Sequence, residues 1–316
     1  MTKKRIIFMG TPEFAVRMLE VLKEENYEIV AVVTQPDKPV GRKQEVMPTP
    51  VKAKALTYGI PVLQPIKIGE ITEELLSYQA DLIVTCAYGQ FIPDRILNLP
   101  TYGSINIHAS LLPKYRGGAP IHKAIIDGNK TSGISIMRMV KRMDAGDVMA
   151  QTEVEISDTD TMGSYSEKLM VAAAQLLRTS LSSIFDHTAS WTSQDESQVS
   201  FAYNISKEEE FISFHRDAKI VYDHIRGLIP WPVGYGILQN KKIKFHKASL
   251  LYGEMRGNIG EVLGMIENSL AVQAQNGILL LSELQLEGKG KVNASDFYNG
   301  VGKTLVHACF SETNES

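Results

Sequence analysis

The sequence predicts an α/β protein: a Rossmann-like, mostly parallel sheet domain followed by a smaller OB-like β-barrel. Between Arg5 and Thr85, short apolar β-branched runs alternate with helical patterns, as in consecutive β-α-β units. Residues 190–207, rich in Ser, Thr, Gln and Asp, then interrupt the apolar patterning, and beyond them come short, turn-separated strands. At 316 residues the chain exceeds a typical single core, so the expected division is a domain at 1–189, a linker at 190–207 and a second domain at 208–316.

Composition narrows the function classes. Hydrophobic residues make up 44% and charged residues 22%, ordinary for a globular protein with a sizeable core. A formal net charge of -3 exerts no overall pull on nucleic acid, so any polyanion must meet a local basic patch. Two cysteines, Cys86 and Cys309, supply neither a disulfide framework nor CxxC spacing for zinc, which fits a reducing cytosol. The apolar run Ile6–Met9 after Lys3-Lys4-Arg5 is too short for a secretory leader, and no stretch reaches the ~18 apolar residues of a membrane span. The expectation is a cytoplasmic protein with no membrane partner.

In chain order, Arg5–Met9 reads as a strand ending at Gly10-Thr11-Pro12, with Phe14, Met18, Leu19 and Leu22 following at helical spacing. Glu28–Thr34 is a continuous β-branched run, suited to a strand buried on both faces. A nicotinamide fingerprint needs three glycines in the first turn; Thr11, Pro12 and Phe14 stand there instead. Gln35–Pro50 reads as a sixteen-residue loop with four prolines and the cations Lys38, Arg42 and Lys43; it is either a solvated insertion or a stiffened segment that presents cations to a partner. Helices at 51–58 and 71–78 and strands at 60–63 and 81–85 continue the alternation. Ala87–Pro93, which includes Ile92, follows the last of these strands, where a doubly wound sheet opens its ligand crevice. Cys86 at that strand end reads as a small buried hydrophobe.

Ser104–His108 is the most informative stretch. Alternation puts Asn106 and His108 on one face and Ile105 and Ile107 on the other. Singly, each has a structural reading, a satisfied core histidine or a turn asparagine; together ahead of Ser110-Leu111-Leu112-Pro113 they form a candidate site. Pro113 forces the chain to turn just beyond His108. Gly117, Gly118 and Pro120 then release it into a helix at 121–126. A strand at 133–140 ends near Asp144 and Asp147, either of which could orient His108. Metal catalysis is disfavoured by the absence of His-x-His, His-Glu-x-x-His or a cysteine partner. Farther on, 161–185 reads as one amphipathic helix and 211–229 as another, stopped by Pro230. Strands follow at 235–238, 242–248, 260–265, 270–274 and 277–281. Residues 206–316 hold 12 Lys+Arg and 13 Asp+Glu, so phosphate contact would rest on local clusters such as Lys241, Lys242 and Lys244; a solvated face is the alternative.

Asn106-Ile-His108, Ser110-Leu-Leu-Pro113, Tyr115-Arg-Gly117, Ala119-Pro120 and Met143-Asp-Ala-Gly-Asp147 together resemble the folate-dependent formyltransferases. The resemblance implies Asn106, His108 and Asp144 as the catalytic trio, 10-formyltetrahydrofolate as formyl donor, no metal, and a folate site around Ser110, Leu111, Leu112, Pro113, Phe14, Ile92 and Val140. These motifs are shared with members acting on glycinamide ribonucleotide or sugar nucleotides. The opening Ile6–Phe14, the loop at 35–50 and the second domain are similar to the branch that formylates methionyl-initiator-tRNA. That similarity implies acceptor-stem contact by Arg42's loop, with Lys38 and Lys43 beside it; a monomer is the expected state, although no residue pattern here speaks to it. Gln44 and Glu45 replace more basic residues usual in that branch, and Lys141 and Arg142 make the rim before Met143 more positive. A small-amine formyltransferase and a non-catalytic tRNA-binding protein are the competing readings.

Overall fold

The computed structural model describes residues 3–40 and 44–314. The chain gathers into two units. The first comprises 1–120, 132–155 and 166–203; the second takes 204–316 together with 121–131 and 156–165, two segments expected to lie wholly in the first domain. Specific bonds explain the exchange: His122 Nδ1 lies 2.8 Å from Gly227 O, Lys123 pairs with Glu209, and Arg226 Nη1 donates to Asp160 O at 2.7 Å. Most of the expected linker, through Tyr203, belongs to the first unit.

The first unit begins with β1 (Arg5–Gly10), α1 (Glu13–Glu24) and β2 (Glu28–Val33). A two-stranded hairpin, β3 (Lys38–Val40) and β4 (Glu45–Met47), occupies the span read as a loop; Pro39 is tolerated because a hairpin edge needs no donor there. Then come α2 (Pro50–Thr57), β5 (Val62–Leu63), α3 (Thr72–Ser77), β6 (Leu82–Cys86), α4 (Asp94–Leu97) and β7 (Ser104–His108). After α5 (Pro120–Ile126) the sheet is completed by β8 (Thr131–Arg138) and by β9 (Val148–Glu155), a strand the sequence reading missed. The helical pattern at 161–185 is broken into α6 (Met162–Ser180) and α7 (Ser182–Phe185).

Strand order is β5-β2-β1-β6-β7-β8-β9, parallel from β5 to β7, with β7 and β8 antiparallel. The order reverses between β1 and β6, whose last residues Gly10 and Cys86 are partners, which makes this the switch point at which a doubly wound sheet places its ligand crevice. A side chain at Gly10 would meet Ala15 Cβ at 2.7 Å and Cys86 O at 2.9 Å; this close packing of strand end against helix explains the glycine.

In the second unit, α8 (Ala218–Gly227) is shorter than the helix expected at 211–229. Ile212 and Phe214 alternate into the core instead, and Phe211 and Asp217 bridge to Tyr235 and Gln275 like a strand, before Asp217 caps the helix. There follow β10 (Tyr235–Leu238), β11 (Lys241–Tyr252), β12 (Val262–Ile266), β13 (Ser269–Ala274), β14 (Gly277–Leu286), β15 (Val292–Asn293) and α9 (Ala294–Gly300). The antiparallel order is β10-β11-β14-β13-β12. Residues 308–311 fill the gap between the edges: Val262 N donates to Ala308 O at 2.9 Å, Phe310 N to Gly260 O at 2.9 Å, and Ser311 N to Ile237 O at 2.8 Å. This closes the sheet into the expected barrel, and Phe310 enters its core against Phe214 and Phe245, with centroids 4.8 and 5.7 Å away.

Buried His224 in α8 donates or accepts at both ring nitrogens: Nε2 lies 2.7 Å from Glu209 O and Nδ1 lies 2.7 Å from Arg216 Nη2. A carbonyl on one side and a guanidinium donor on the other require the neutral imidazole, and burial pushes its pKa down to about 4. Unfolded chains take up this proton near pH 6.5, so stability is full above that pH and falls by up to about 3 kcal/mol as pH drops to 4. Urea unfolding of wild type and His224→Gln across pH 4–7 should show the variant flatter in this window.

Candidate active site

Register sets the first two site residues at the carboxyl end of β7. On β7, Asn106 pairs with Thr85 of β6 and Met137 of β8, while His108 pairs with Ser135. Thr85 Oγ1 lies 2.8 Å from Asn106 Oδ1 and 3.0 Å from Ile105 O. The hydroxyl has one proton; given to Oδ1, it leaves both Nδ2 hydrogens of half-buried Asn106 for a ligand. His108 is 5% exposed, and its Nε2 lies 2.9 Å from Tyr115 O, which fixes a hydrogen on Nε2. Its Nδ1 faces Asp144 Oδ2 at 3.8 Å, an ion-pair distance beyond hydrogen-bond range.

The turn after β7 is built to hold this pair. Ser110 is fully buried, its hydroxyl donating to Lys114 O at 2.6 Å. Ser135 Oγ donates to Ser110 O at 2.6 Å and accepts from Leu112 N at 3.0 Å, while Gln151 Nε2 donates to Leu112 O at 2.9 Å. Gly117 N then donates to Asp144 Oδ2 at 2.8 Å. Between Tyr115 and Gly117 sits Arg116, whose side chain is 0% exposed and bonded to Gln194 and Glu196. Its Nη1 has no partner among the described residues. The sequence reading took Tyr115-Arg-Gly117 only as a motif and passed over Thr85, Ser135, Gln151 and Gln194.

Asp144 follows β8 with φ +48°, a left-handed conformation that aspartate tolerates. Asp147 turns elsewhere and accepts from Ser193 Oγ at 2.9 Å, so Asp144 is the carboxylate next to the imidazole. Of the residues expected around a folate, Leu111, Pro113 and Phe14 are half-buried and Val140 is exposed, all able to offer apolar surface. Leu112 and Ile92 are buried; Ile92 belongs to the core cluster with Ile7, Met9 and Tyr88, and can only back the site. Cys86 is buried, and its thiol is pushed up to about 12 by desolvation, which suits a packing residue. Among the described residues, no group of His, Cys, Asp and Glu is gathered to hold a metal ion.

Of the expected phosphate contacts, Arg42 and Lys43 lie outside the described residues, and Lys38 is exposed on β3. On β11, Lys242 and Lys244 share the outer face opposite buried Ile243 and Phe245. Lys241 and Lys242 are exposed; Lys242 Nζ sits 4.5 Å from the Tyr235 ring centre, and half-buried Lys244 reaches Pro232 O at 3.5 Å.

Residues 4–181 match the sequence profile described as formyl transferase, and residues 204–302 that of the formyl transferase C-terminal domain. The chain belongs to the formyl transferase family. Among family members, the methionyl-tRNA formyltransferase of Staphylococcus epidermidis is 45% identical over 305 residues, 96% of this chain and 98% of its own. That of Bacillus licheniformis is 44% identical over 301 residues, 94% and 95% of the two chains. Solved structures share the fold: HypX from Aquifex aeolicus in complex with tetrahydrofolic acid has a TM-score of 0.69 at 17% identity, covering 96% of this chain, which spans only 48% of HypX. The Helicobacter canadensis N-formyltransferase in complex with folinic acid and dTDP-3-aminofucose has a TM-score of 0.68 at 19% identity, over 89% of this chain and 99% of its own.

For this formyl transferase, Thr85→Val keeps side-chain volume but frees the Asn106 amide to rotate. Turnover should fall about 10-fold, equivalent to about 1.4 kcal/mol of transition-state stabilisation. Steady-state kinetics with a thermal-melt control checks this; unchanged turnover would show that Thr85 does not hold Asn106.

Proposed function

We propose that this chain transfers the formyl group of 10-formyltetrahydrofolate to the α-amino group of methionyl-initiator-tRNA. The observation that carries the reading is the convergence of Asn106, His108 and Asp144 at the carboxyl end of β7. Support for the acceptor comes from 45% identity, spanning both units, to a methionyl-tRNA formyltransferase.

The chemistry is acyl transfer. An α-amine has a reference pKa of about 7.7–8.0, so neutral pH supplies enough free amine without a strong base. As its nitrogen bonds to the formyl carbon, the carbonyl electron pair moves onto oxygen; the new C–N nitrogen gives up a proton, and collapse re-forms the carbonyl and breaks the bond to the folate nitrogen, which takes a proton. Asn106 Nδ2 donates to the developing oxyanion. His108 keeps one N–H on Tyr115 O; a proton on Nδ1 makes it a cation facing Asp144, adding positive potential and a proton to relay. Asp144 is itself held by the Gly117 amide and so stays beside the imidazole. Leu111, Phe14 and Val140 offer apolar surface to the pterin. The acceptor's phosphates are met by Lys241, Lys242 and Lys244, and by Lys38, Arg42 and Lys43 in the first unit. Translation initiation places the enzyme in the cytosol, where we take it to act as a monomer.

Incubation with 10-formyltetrahydrofolate should formylate methionyl-tRNA but not glycinamide ribonucleotide; transfer only to the small amine would overturn the acceptor. Loss of one oxyanion donor typically costs ~10²–10³ in rate, so Asn106→Ala should lower kcat by that factor. Its folate Kd should stay within about twofold, as expected for a group acting in the transition state. Raising salt from about 50 to 200 mM should increase KM for the tRNA by 10-fold or more without changing kcat, and Lys242→Ala should reduce the salt slope by about one.

A further inference from the structure

Gln194 lies in a stretch that composition marks as linker, yet its amide is saturated by the catalytic loops. Oε1 accepts from Arg116 Nε at 3.0 Å and from Arg116 Nη2 at 2.8 Å, while Nε2 donates to Asp144 O at 2.8 Å and to Gly146 O at 2.7 Å. This fixes the amide's orientation: flipped, it would set donors against donors and acceptors against acceptors. The flanking chain repeats the attachment. Thr192 and Val148 exchange backbone bonds at 2.9 Å, Tyr115 N donates to Ser200 Oγ at 2.9 Å, and Arg116 N donates to Ser200 O and Ala202 N to Arg116 O at 2.9 and 2.8 Å.

Arg116 stands between two catalytic attachments. The carbonyl before it, Tyr115 O, receives His108 Nε2, and the amide after it, Gly117 N, binds Asp144 Oδ2. Gln194 thus ties the turn that anchors His108 to the backbone of Asp144 itself. The tie is made with a neutral group, whereas the carboxylate nearby, Glu196, is exposed and shared with Arg142. A carboxylate at position 194 would satisfy Arg116 equally well, but only an amide can also donate to two carbonyls of the Asp144 loop.

We propose that Gln194 is a positioning residue for formyl transfer, holding Asp144 at His108 through its donor face. The inference rests on the catalytic reading of Asn106, His108 and Asp144 given above. Two variants separate the faces. Gln194→Met keeps length and removes both faces. Gln194→Glu keeps the bonds to Arg116 and turns an acceptor toward Asp144 O and Gly146 O.

The test uses the full chain with methionyl-tRNA and 10-formyltetrahydrofolate, first in wild type and Asp144→Asn. Formylation by wild type and its steep slowing to a residual single-turnover rate in Asp144→Asn establish the catalytic reading; absence of either would sink that reading rather than this one. Each Gln194 variant should then lower kcat about tenfold or more, with KM for both substrates within about twofold. In the Asp144→Asn background, under single-turnover conditions, the same variants should cost less than threefold, because sites acting through one group are non-additive. Equal losses in both backgrounds, or full activity of Gln194→Glu, would overturn the proposal. Should Gln194→Met fail to fold, Gln194→Glu decides alone, since the packing and the bonds to Arg116 are retained.

Discussion

The hydrogen bond from Gly117 N to Asp144 Oδ2, 2.8 Å long, is the constraint on which the site depends. It joins two loops that leave the sheet from different strands. Its donor must be a glycine: Gly117 sits at φ +127°, and a Cβ there would lie 2.5 Å from Ala202 O. Its acceptor is held by a second close approach two residues on, where a Cβ at Gly146 would lie 1.9 Å from Arg138 O. Gly117 lets the chain after β7 pass at backbone contact distance from Ala202, and Gly146 lets the Asp144 loop fold back onto Arg138 at the end of β8. Catalytic geometry here is a consequence of backbone packing, with side chains placed afterwards.

Arg116 gives that packing an unusual energetic character. A fully buried guanidinium carries a desolvation cost of several kcal/mol unless its donors are met. Here the principal partner is the neutral Gln194, and the carboxylate of Glu196 is exposed and held below its usual pKa first by Arg116 and then by Arg142. The positive charge is therefore only partly neutralised close to Tyr115 and Gly117. Residual positive potential beside the proposed acyl-transfer site would favour an anionic intermediate, in the same sense as the donor role proposed for Asn106.

Much of this was legible in the sequence, and the limits were physical. Buried parallel strands announce themselves as β-branched runs, and the period of two put Asn106 and His108 on one face because β7 is regular. The local pattern alone did not choose between Asp144 and Asp147, three residues apart in an irregular loop; the family resemblance pointed to Asp144, and the contacts with Gly117 and Ser193 show why the two carboxylates differ. Gln194 was hidden for the opposite reason, since a polar residue among polar residues carries no pattern. The segment 211–217 misled because Phe211, Phe214 and Ala218 fit a helical spacing, while Ile212 and Phe214 fit a strand equally well; the bridges to Tyr235 and Gln275 break the tie. The 121–131 and 156–165 segments join the second unit through bonds that no local pattern encodes.

On the proposed reading, the two units divide the chemistry by the range of the forces each uses. Formyl transfer needs donors placed to within tenths of an ångström, and the first unit supplies them from strand ends braced by short hydrogen bonds. Recognition of a polyanion needs charge that acts over about a Debye length, ~8–10 Å, and tolerates imprecision. The second unit has features that suit the recognition proposed for it: a closed barrel with an aromatic core, with Lys242 and Lys244 projected from one face of β11 by the same alternation that buries Ile243 and Phe245. A net charge near zero limits attraction to polyanions at large, so on the proposed reading local lysine clusters, acting only within that screening length, would set where on the surface a phosphate backbone is met.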